Sequence, residues 1–276
     1  MIKKYVTVLI LLLSNSLTFG QNQSNTAKQD SIIDKFIKNG AYKYHYTLQG
    51  WDDNINLAIK EDSTIALLWQ LKALPFWKTK KYDLAVQCYD KAVLFDRANY
   101  LGRRGYLKCI FQKDYKGAIV DMELAEKEFG YGYQNDHSYP FYISLCYLQL
   151  NEFEKANQIL QKDFEKTITE HGENWIHFLD FFYMGIIQYE LRNYEKAISY
   201  LDKTLKSYNN FSDAKYYKGL CLSQKDDKIN AEKLMREAKA NFEQGYTINE
   251  DDSLYEIYPY KVNWSMAKWT IPNYKE

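Results

Sequence analysis

The strongest constraint on this chain is an order of side-chain sizes that returns along it. In YDLAVQCYDKAVLFD, Tyr82 to Asp96, a ring, an alanine, a ring and an alanine follow at intervals of three, four and three residues, and YEKAISYLDKTL repeats much of that order from Tyr194. Aligned on the ring and the alanine three residues later, the register runs Tyr82/Ala85, Tyr115/Ala118, Phe153/Ala156 and Tyr194/Ala197, with Ala231 continuing the alanines and Ala58 matching Ala92. From 58 to 92, 85 to 118 and 197 to 231 the intervals are 34, 33 and 34 residues; from 118 to 156 and 156 to 197 they stretch to 38 and 41. A small residue recurs nine positions upstream of the ring position, as Ala73, Ser144, Gly185 and Gly219. A period near this length marks a stack of helical hairpins. The small residue lets the first helix of a pair approach the second, the ring fills the turn, and the alanine admits the next helix.

Composition agrees. The chain has 26 Tyr, 14 Phe and 6 Trp against only 4 Pro and 12 Gly, which suits long helices joined by short turns. The expected fold is all-α, an α-solenoid of about five to six hairpins, drawn near 28–62, 64–96, 99–128, 136–166, 174–207 and 212–241. Gly105 breaks the count, lying ten residues before Tyr115, and FGYGYQND (Phe129 to Asp136) and EKTITEHGEN (Glu165 to Asn174) lengthen two connections. Asp96, Asn99, Asn209 and Asp213 are the expected helix caps between pairs, and Asp136 the cap of the helix that follows it.

These residues resemble the tetratricopeptide repeat family, whose pattern of aromatic and small positions is matched by WQLKALPFWKTKKYDLAVQCYDKAVLFD and FYMGIIQYELRNYEKAISYLDKTL. The resemblance covers about Asp30 to Gln244 and implies a right-handed superhelix whose first helices line a concave groove for a protein or peptide. Carried over residue by residue, it places Gln70, Trp77, Arg103, Tyr106, Tyr142, Tyr183, Tyr189 and Tyr217 in that groove. Tyrosine and arginine are effective interface anchors; the alternative for each tyrosine is that it fills space between helices. Some members of the family hold a partner's terminal carboxylate with lysine and asparagine, but those places are Leu74, Tyr142, Leu145 and Tyr183, which leaves Arg103 or Arg104 as the candidate anionic anchor. The resemblance implies no cofactor, and recognition instead of catalysis.

The two ends stand apart from the repeat. Lys3 and Lys4 precede the apolar run YVTVLILLL, followed by SNSLTFG and the polar QNQSNTAKQ, the order of a secretory signal peptide. The expected division is a signal peptide over 1–20, a polar linker over 21–29, the repeats over 30–244 and an aromatic tail over 245–276. Cleavage after Gly20 predicts an exported protein, periplasmic or secreted, with no stable transmembrane segment. Pro259 and Pro272 keep the tail from forming another helix pair, and Tyr258, Tyr260, Trp264 and Trp269 are placed to cap the last repeat, or else the tail lies in the groove or binds a partner itself. The tail and FGYGYQNDHSYPFYISLCYLQL also resemble segments of exported repeat proteins of the Bacteroidota.

Charge and motifs exclude other classes. With 36 basic and 36 acidic residues and no long basic run, nucleic acid is not an expected partner. His45, His137, His171 and His177 form no HExxH and no i, i+4 pair, and no phosphate loop or GxSxG is present, so the expectation is no metal, no cofactor and no catalytic residues. Cys88, Cys109, Cys146 and Cys221 lie far apart inside apolar helical patterns and read as buried free thiols. A second function, capture of a glycan or small ligand at the cell envelope, follows from aromatic faces that stack on sugars.

Overall fold

The small residues do set the joints between helices. In a computed structural model, which describes residues 26–267, Ala58, Ala85, Ala118, Ala156 and Ala197 are wholly buried and Ala231 nearly so. The chain divides into two compact units, residues up to Arg97 and residues from Ala98 onward.

The first unit begins with a helix, α1, over residues 26–38, α-helical at first and π-helical over Ile33–Lys38. Its partner is α2, Gln49–Glu61, and a second hairpin joins α3, Ala66–Lys78, to α4, Tyr82–Phe95. Ile37, Trp51, Ile55, Ala58, Leu68 and Leu71 form the core of this unit, with the Trp51 indole N–H donating to the Leu71 carbonyl at 3.3 Å. Residues 26–29, the last four of the expected linker, are helical; the rest of that linker and the expected signal peptide lie outside the described residues.

The second unit contains α5, Arg97–Tyr106, running on as a π-helix over Leu107–Gln112, then α6, Tyr115–Phe129, α7, Tyr139–Gln149, and α8, Phe153–His171. These are followed by α9, Phe178–Glu190, α10, Tyr194–Ser207, α11, Ser212–Gln224, and α12, Lys228–Glu243. First and second helices meet at a repeated joint. A Cβ on Gly105 would stand 2.7 Å from Met122 Cγ and 3.3 Å from the Ala118 carbonyl oxygen. On Gly219 it would stand 2.8 Å from Met235 Cγ and 3.2 Å from the Ala231 oxygen, and on Gly185 2.9 Å from Leu201 Cγ. The extra residue between Gly105 and Tyr115 is taken up by the π turn, which lets α5 keep its joint with α6.

A second regularity lies in the turns. Lys80, in the first unit, and Lys113, Asn151, Arg192 and Asp226, in the second, have positive φ of 57–63° and each sits two residues before the start of a second helix. At four of them the next residue's N–H returns to a carbonyl five residues back: Lys81 to Phe76, Glu152 to Tyr147, Asn193 to Gln188 and Asp227 to Leu222, at 2.8–3.0 Å. This is the Schellman closure of a helix, built here without glycine.

The lengthened connection before α7 forms a two-residue antiparallel ladder, β1, Tyr133–Gln134, against β2, His137–Ser138. Ser138, not Asp136, caps α7, its Oγ accepting from the Phe141 N–H at 3.1 Å. Tyr131 donates to Asp163 Oδ1 at 2.6 Å and Ser138 to Asp163 Oδ2 at 2.7 Å, so a buried carboxylate on α8 fixes the insertion. The four cysteines are buried free thiols, and burial pushes the Cys88, Cys146 and Cys221 thiols up, which keeps them protonated. Among the described residues no helix is long and apolar enough to cross a membrane.

Candidate functional site

The first helices of the second unit, α5, α7, α9 and α11, present a row of aromatic side chains, and the chain's own C-terminal segment is laid over them. It leaves α12 at Gly245, where φ is +88°, and Ser212 N–H bonds the Tyr246 carbonyl at 2.8 Å. An outgoing limb passes Thr247, Ile248 and Glu250 to a short 3-10 turn over Asp251–Leu254. There the Tyr106 hydroxyl donates to Asp252 Oδ2, and Asn135 Nδ2 reaches the same oxygen at 3.4 Å. Lys113 Nζ donates to the Ile257 carbonyl at 3.2 Å. The returning limb then buries Tyr258 and Pro259, with the Tyr183 hydroxyl donating to the Pro259 carbonyl at 2.8 Å. Tyr260 follows, its hydroxyl donating to Glu190 Oε1 at 2.8 Å and its ring 6.0 Å from that of Tyr217.

Both limbs are held by one carboxylate. Asp213, fully buried on α11, accepts from Val262 N–H at 2.7 Å through Oδ1, and through Oδ2 from Thr247 Oγ1 at 2.7 Å, Ile248 N–H at 3.3 Å and Ser212 Oγ at 3.2 Å. Burial pushes its pKa up, against the pull of those donors. Lys261 Nζ also bonds the Ile248 carbonyl at 3.1 Å, tying the limbs to each other. Beyond them Val262, Trp264 and Ala267 pack on Tyr216, Met235, Ala238 and Phe242 of the last hairpin, Trp264 forming part of the short helix α13, Trp264–Ala267. The tail thus packs on the last hairpin through Val262, Trp264 and Ala267 and, before that, runs over the first helices of the second unit. Trp269 and Pro272 lie outside the described residues.

A histidine pair sits beside the outgoing limb. His137 on β2 is buried, with Nδ1 2.6 Å from Asp180 Oδ1 and Nε2 3.8 Å from Glu250 Oε2. Its ring lies edge-to-face with His177 at 5.0 Å. Burial works against charge on His137, but Asp180 and Glu250 outweigh it and hold the pKa up to about 9. His177, which caps α9 by accepting from Leu179 N–H at 3.4 Å, is lowered by burial and then by His137. His137, facing it at 3.8 Å, holds the Glu250 carboxyl below its ordinary range, against the effect of burial.

The structure sorts the residues expected in the groove into three groups. Tyr106, Tyr142 and Tyr183 are on the predicted helices but buried, at 3%, 0% and 0% exposure, so they do not face an open groove. Tyr142 donates to the Gln134 carbonyl at 3.0 Å, while Tyr106 and Tyr183 bond the tail. Tyr189 and Tyr217 are half-buried, with rings 5.8 Å apart. Arg103 is exposed, its guanidinium 5.8 Å above the Tyr100 ring. Gln70 and Trp77 are half-buried on α3 of the first unit, with Lys78 Nζ 5.3 Å from the Trp77 ring. Arg104 is not a free anionic anchor: it bonds Asp121 through two nitrogens at 2.7 and 2.6 Å, and Lys108 joins them at 2.9 Å.

Several residues that build the site had no sequence signal. Asp213 reads as an ordinary helix cap, yet its carboxylate is spent on the tail. His137, His177 and Glu250 are 40 and 73 residues apart (177 − 137 and 250 − 177) and meet only through the fold.

Stacked hairpins with alanine joints, αL turns and an extended segment laid over one face define a helical-repeat fold. Residues 66–99, which cover α3 and α4, and residues 181–210, which cover α10 and all but the first three residues of α9, each match a model described as tetratricopeptide repeat. No curated protein matches the sequence. Among solved structures of similar fold, the one described as YrrB, a TPR protein with an unusual peptide-binding site, is 18% identical with a TM-score of 0.50, covering 68% of this chain and 91% of that one. The pilF of Pseudomonas aeruginosa is 18% identical with a TM-score of 0.54 over 76% of this chain and 90% of its own. MamA (41-end) of Desulfovibrio magneticus RS-1 is 12% identical with a TM-score of 0.53 over 65% and 96%. At these identities the likeness is one of fold, and together with the two matched segments it supports a tetratricopeptide repeat family.

Proposed function

We propose that the protein is an exported, non-catalytic scaffold whose second unit binds an extended segment of a protein partner along α5, α7, α9 and α11, where its own tail now lies. One observation carries this reading. The face already holds an extended polypeptide through main-chain and side-chain bonds, from Tyr246 to Val262. A surface that recognises backbone groups and seats a tyrosine and a proline has the chemistry for a peptide ligand. The tail then acts as an occupant that a partner must displace, or as the template that shows what fits. Export rests on the signal-like first twenty residues. Glycan capture is the weaker reading, because Tyr106, Tyr142 and Tyr183 are covered and offer no stacking platform.

The test compares the unaltered chain with Asp213→Ala, in which the tail is released, for capture of an extended protein segment from an envelope extract. A synthetic peptide spanning residues 246–263 serves as competitor. Capture is expected to rise on release and to fall when the peptide is added. Capture indifferent to both, with helicity intact by circular dichroism, ends the proposal.

A further inference from the structure

We propose that His137, His177 and Glu250 form a binding site for a divalent transition-metal ion of the zinc type, which fastens the tail to the repeat. One ligand atom from each residue lies within 4.8 Å of the other two. A second observation points independently to a ligand. His137 has a side chain with 0% exposure, and its Nε2 has no hydrogen-bond partner. The oxygen facing it, Glu250 Oε2, is 3.8 Å away. An imidazolium bridging Asp180 and Glu250 needs its second N–H within about 3.2 Å of an acceptor, and this gap exceeds that. A metal ion explains the spacing better. Ligand atoms about 2.0–2.2 Å from a tetrahedral zinc stand about 3.3–3.5 Å from each other. Closing the 3.8 Å between His137 and Glu250 to that separation takes a few tenths of an ångström, and the other pairs, within 4.8 Å, require at most about 1.5 Å, within reach of rotations of the Glu250 and His177 side chains.

The orientation of His137 suits a metal ligand. Its Nδ1 lies 2.6 Å from Asp180 Oδ1, which turns Nε2 toward the cluster, and a bound ion would take the place of the Nε2 proton. A carboxylate bonded to the far nitrogen fixes the tautomer and raises the basicity of the ligating one, so Asp180 is a positioning residue. Two imidazoles and one carboxylate favour zinc and its neighbours over magnesium or calcium, which take oxygen. Glu250, with a side chain 15% exposed, and the half-buried His177 leave a path from solvent. Because Glu250 lies between Ile248, which Asp213 holds, and Asp252, which Tyr106 holds, an ion here acts on the outgoing limb.

The experiment uses the full chain, stripped with a chelator and titrated with zinc chloride by calorimetry, with cobalt(II) as a spectroscopic probe. One ion per chain is expected, with cobalt d–d bands of the intensity that low coordination gives. Glu250→Gln and His177→Gln should each weaken binding at least tenfold while leaving the helical circular dichroism unchanged. The double variant of the exposed histidines, His45→Gln with His171→Gln, should bind as the parent does. Zinc should also slow amide exchange across residues 247–262 in the parent at least tenfold, and not in Glu250→Gln. Absence of stoichiometric binding, or binding that Glu250→Gln leaves unchanged, overturns the site.

Discussion

Replacing Asp213 by alanine tests whether one buried carboxylate holds the tail. Four donors end on it: Val262 N–H and Thr247 Oγ1 at 2.7 Å, Ser212 Oγ at 3.2 Å and Ile248 N–H at 3.3 Å. A hydrogen bond to a charged group contributes about 1.5–3 kcal/mol, and each buried donor left dry costs about 1–3 kcal/mol. These terms overlap, and the Ile248 and Ser212 bonds are long, so the substitution is expected to cost about 3–5 kcal/mol, the range for breaking a buried charged contact. At about 1.4 kcal/mol per factor of ten, amide exchange across 248–262 should accelerate by roughly two to three and a half powers of ten. Amides of α7 to α10 should keep their protection, because the loss is confined to the tail's attachment. Asp213→Asn keeps one carbonyl oxygen and should lose roughly half as much. The pH dependence has a definite sign. Burial raises the folded-state pKa of Asp213 above its unfolded value, so its contribution is full below the unfolded pKa and is lost as pH rises through the folded one. Tail protection should therefore decline with rising pH across that window, and Asp213→Asn should flatten the slope. Equal acceleration in the tail and in α7 to α10, or no acceleration, would refute the reasoning.

Two further predictions address the repeat itself. Gly185→Ala places a methyl 2.9 Å from Leu201 Cγ; overpacking of about 1–3 kcal/mol, less about 1 kcal/mol of helix propensity, gives a net loss of about 1 kcal/mol, read as a lower urea midpoint at constant slope. Arg192 is exposed with φ at 59°, so Arg192→Gly should stabilise by about 0.5 kcal/mol, the αL relief exceeding the entropy cost. Arg192→Val should cost about 1 kcal/mol or more, and thermal unfolding of the two variants decides: equal melting temperatures would show that the turn is not strained there.

The hairpins were legible because packing of helix on helix leaves a periodic trace. Only a small side chain fits where Gly185 meets Leu201 or Gly219 meets Met235, and such positions must recur with each joint. The turns left no trace. Lys80, Lys113, Asn151, Arg192 and Asp226 share one backbone conformation but no side-chain chemistry, since αL geometry is imposed there by helix closure on residues that merely tolerate it. Gly105 looked like an irregularity because a count of residues assumes 3.6 per turn, and the π turn at Leu107–Gln112 absorbs one more.

The site was legible by location and not by state. Tyr106, Tyr142 and Tyr183 do lie on the first helices, as the repeat register places them, but a register cannot say what covers a face. What covers it is a segment with no repeat, whose aromatic residues meet two surfaces: Trp264 packs on the last hairpin, while Tyr258 is buried and the Tyr260 ring lies 6.0 Å from that of Tyr217. A tail that only capped an open end would need nothing beyond Val262 and Trp264. The preceding sixteen residues, from Tyr246 to Lys261, travel out to α5 and back, spending the bonds of Tyr106, Lys113, Tyr183 and Glu190 on the way. That excursion contributes little to closing the stack, and its cost in ordered backbone is about 1–2 kcal/mol per residue. It is offset by the bonds that α5, α9 and α11 return to the segment, and this is the balance that the proposed partner would have to match on the same face.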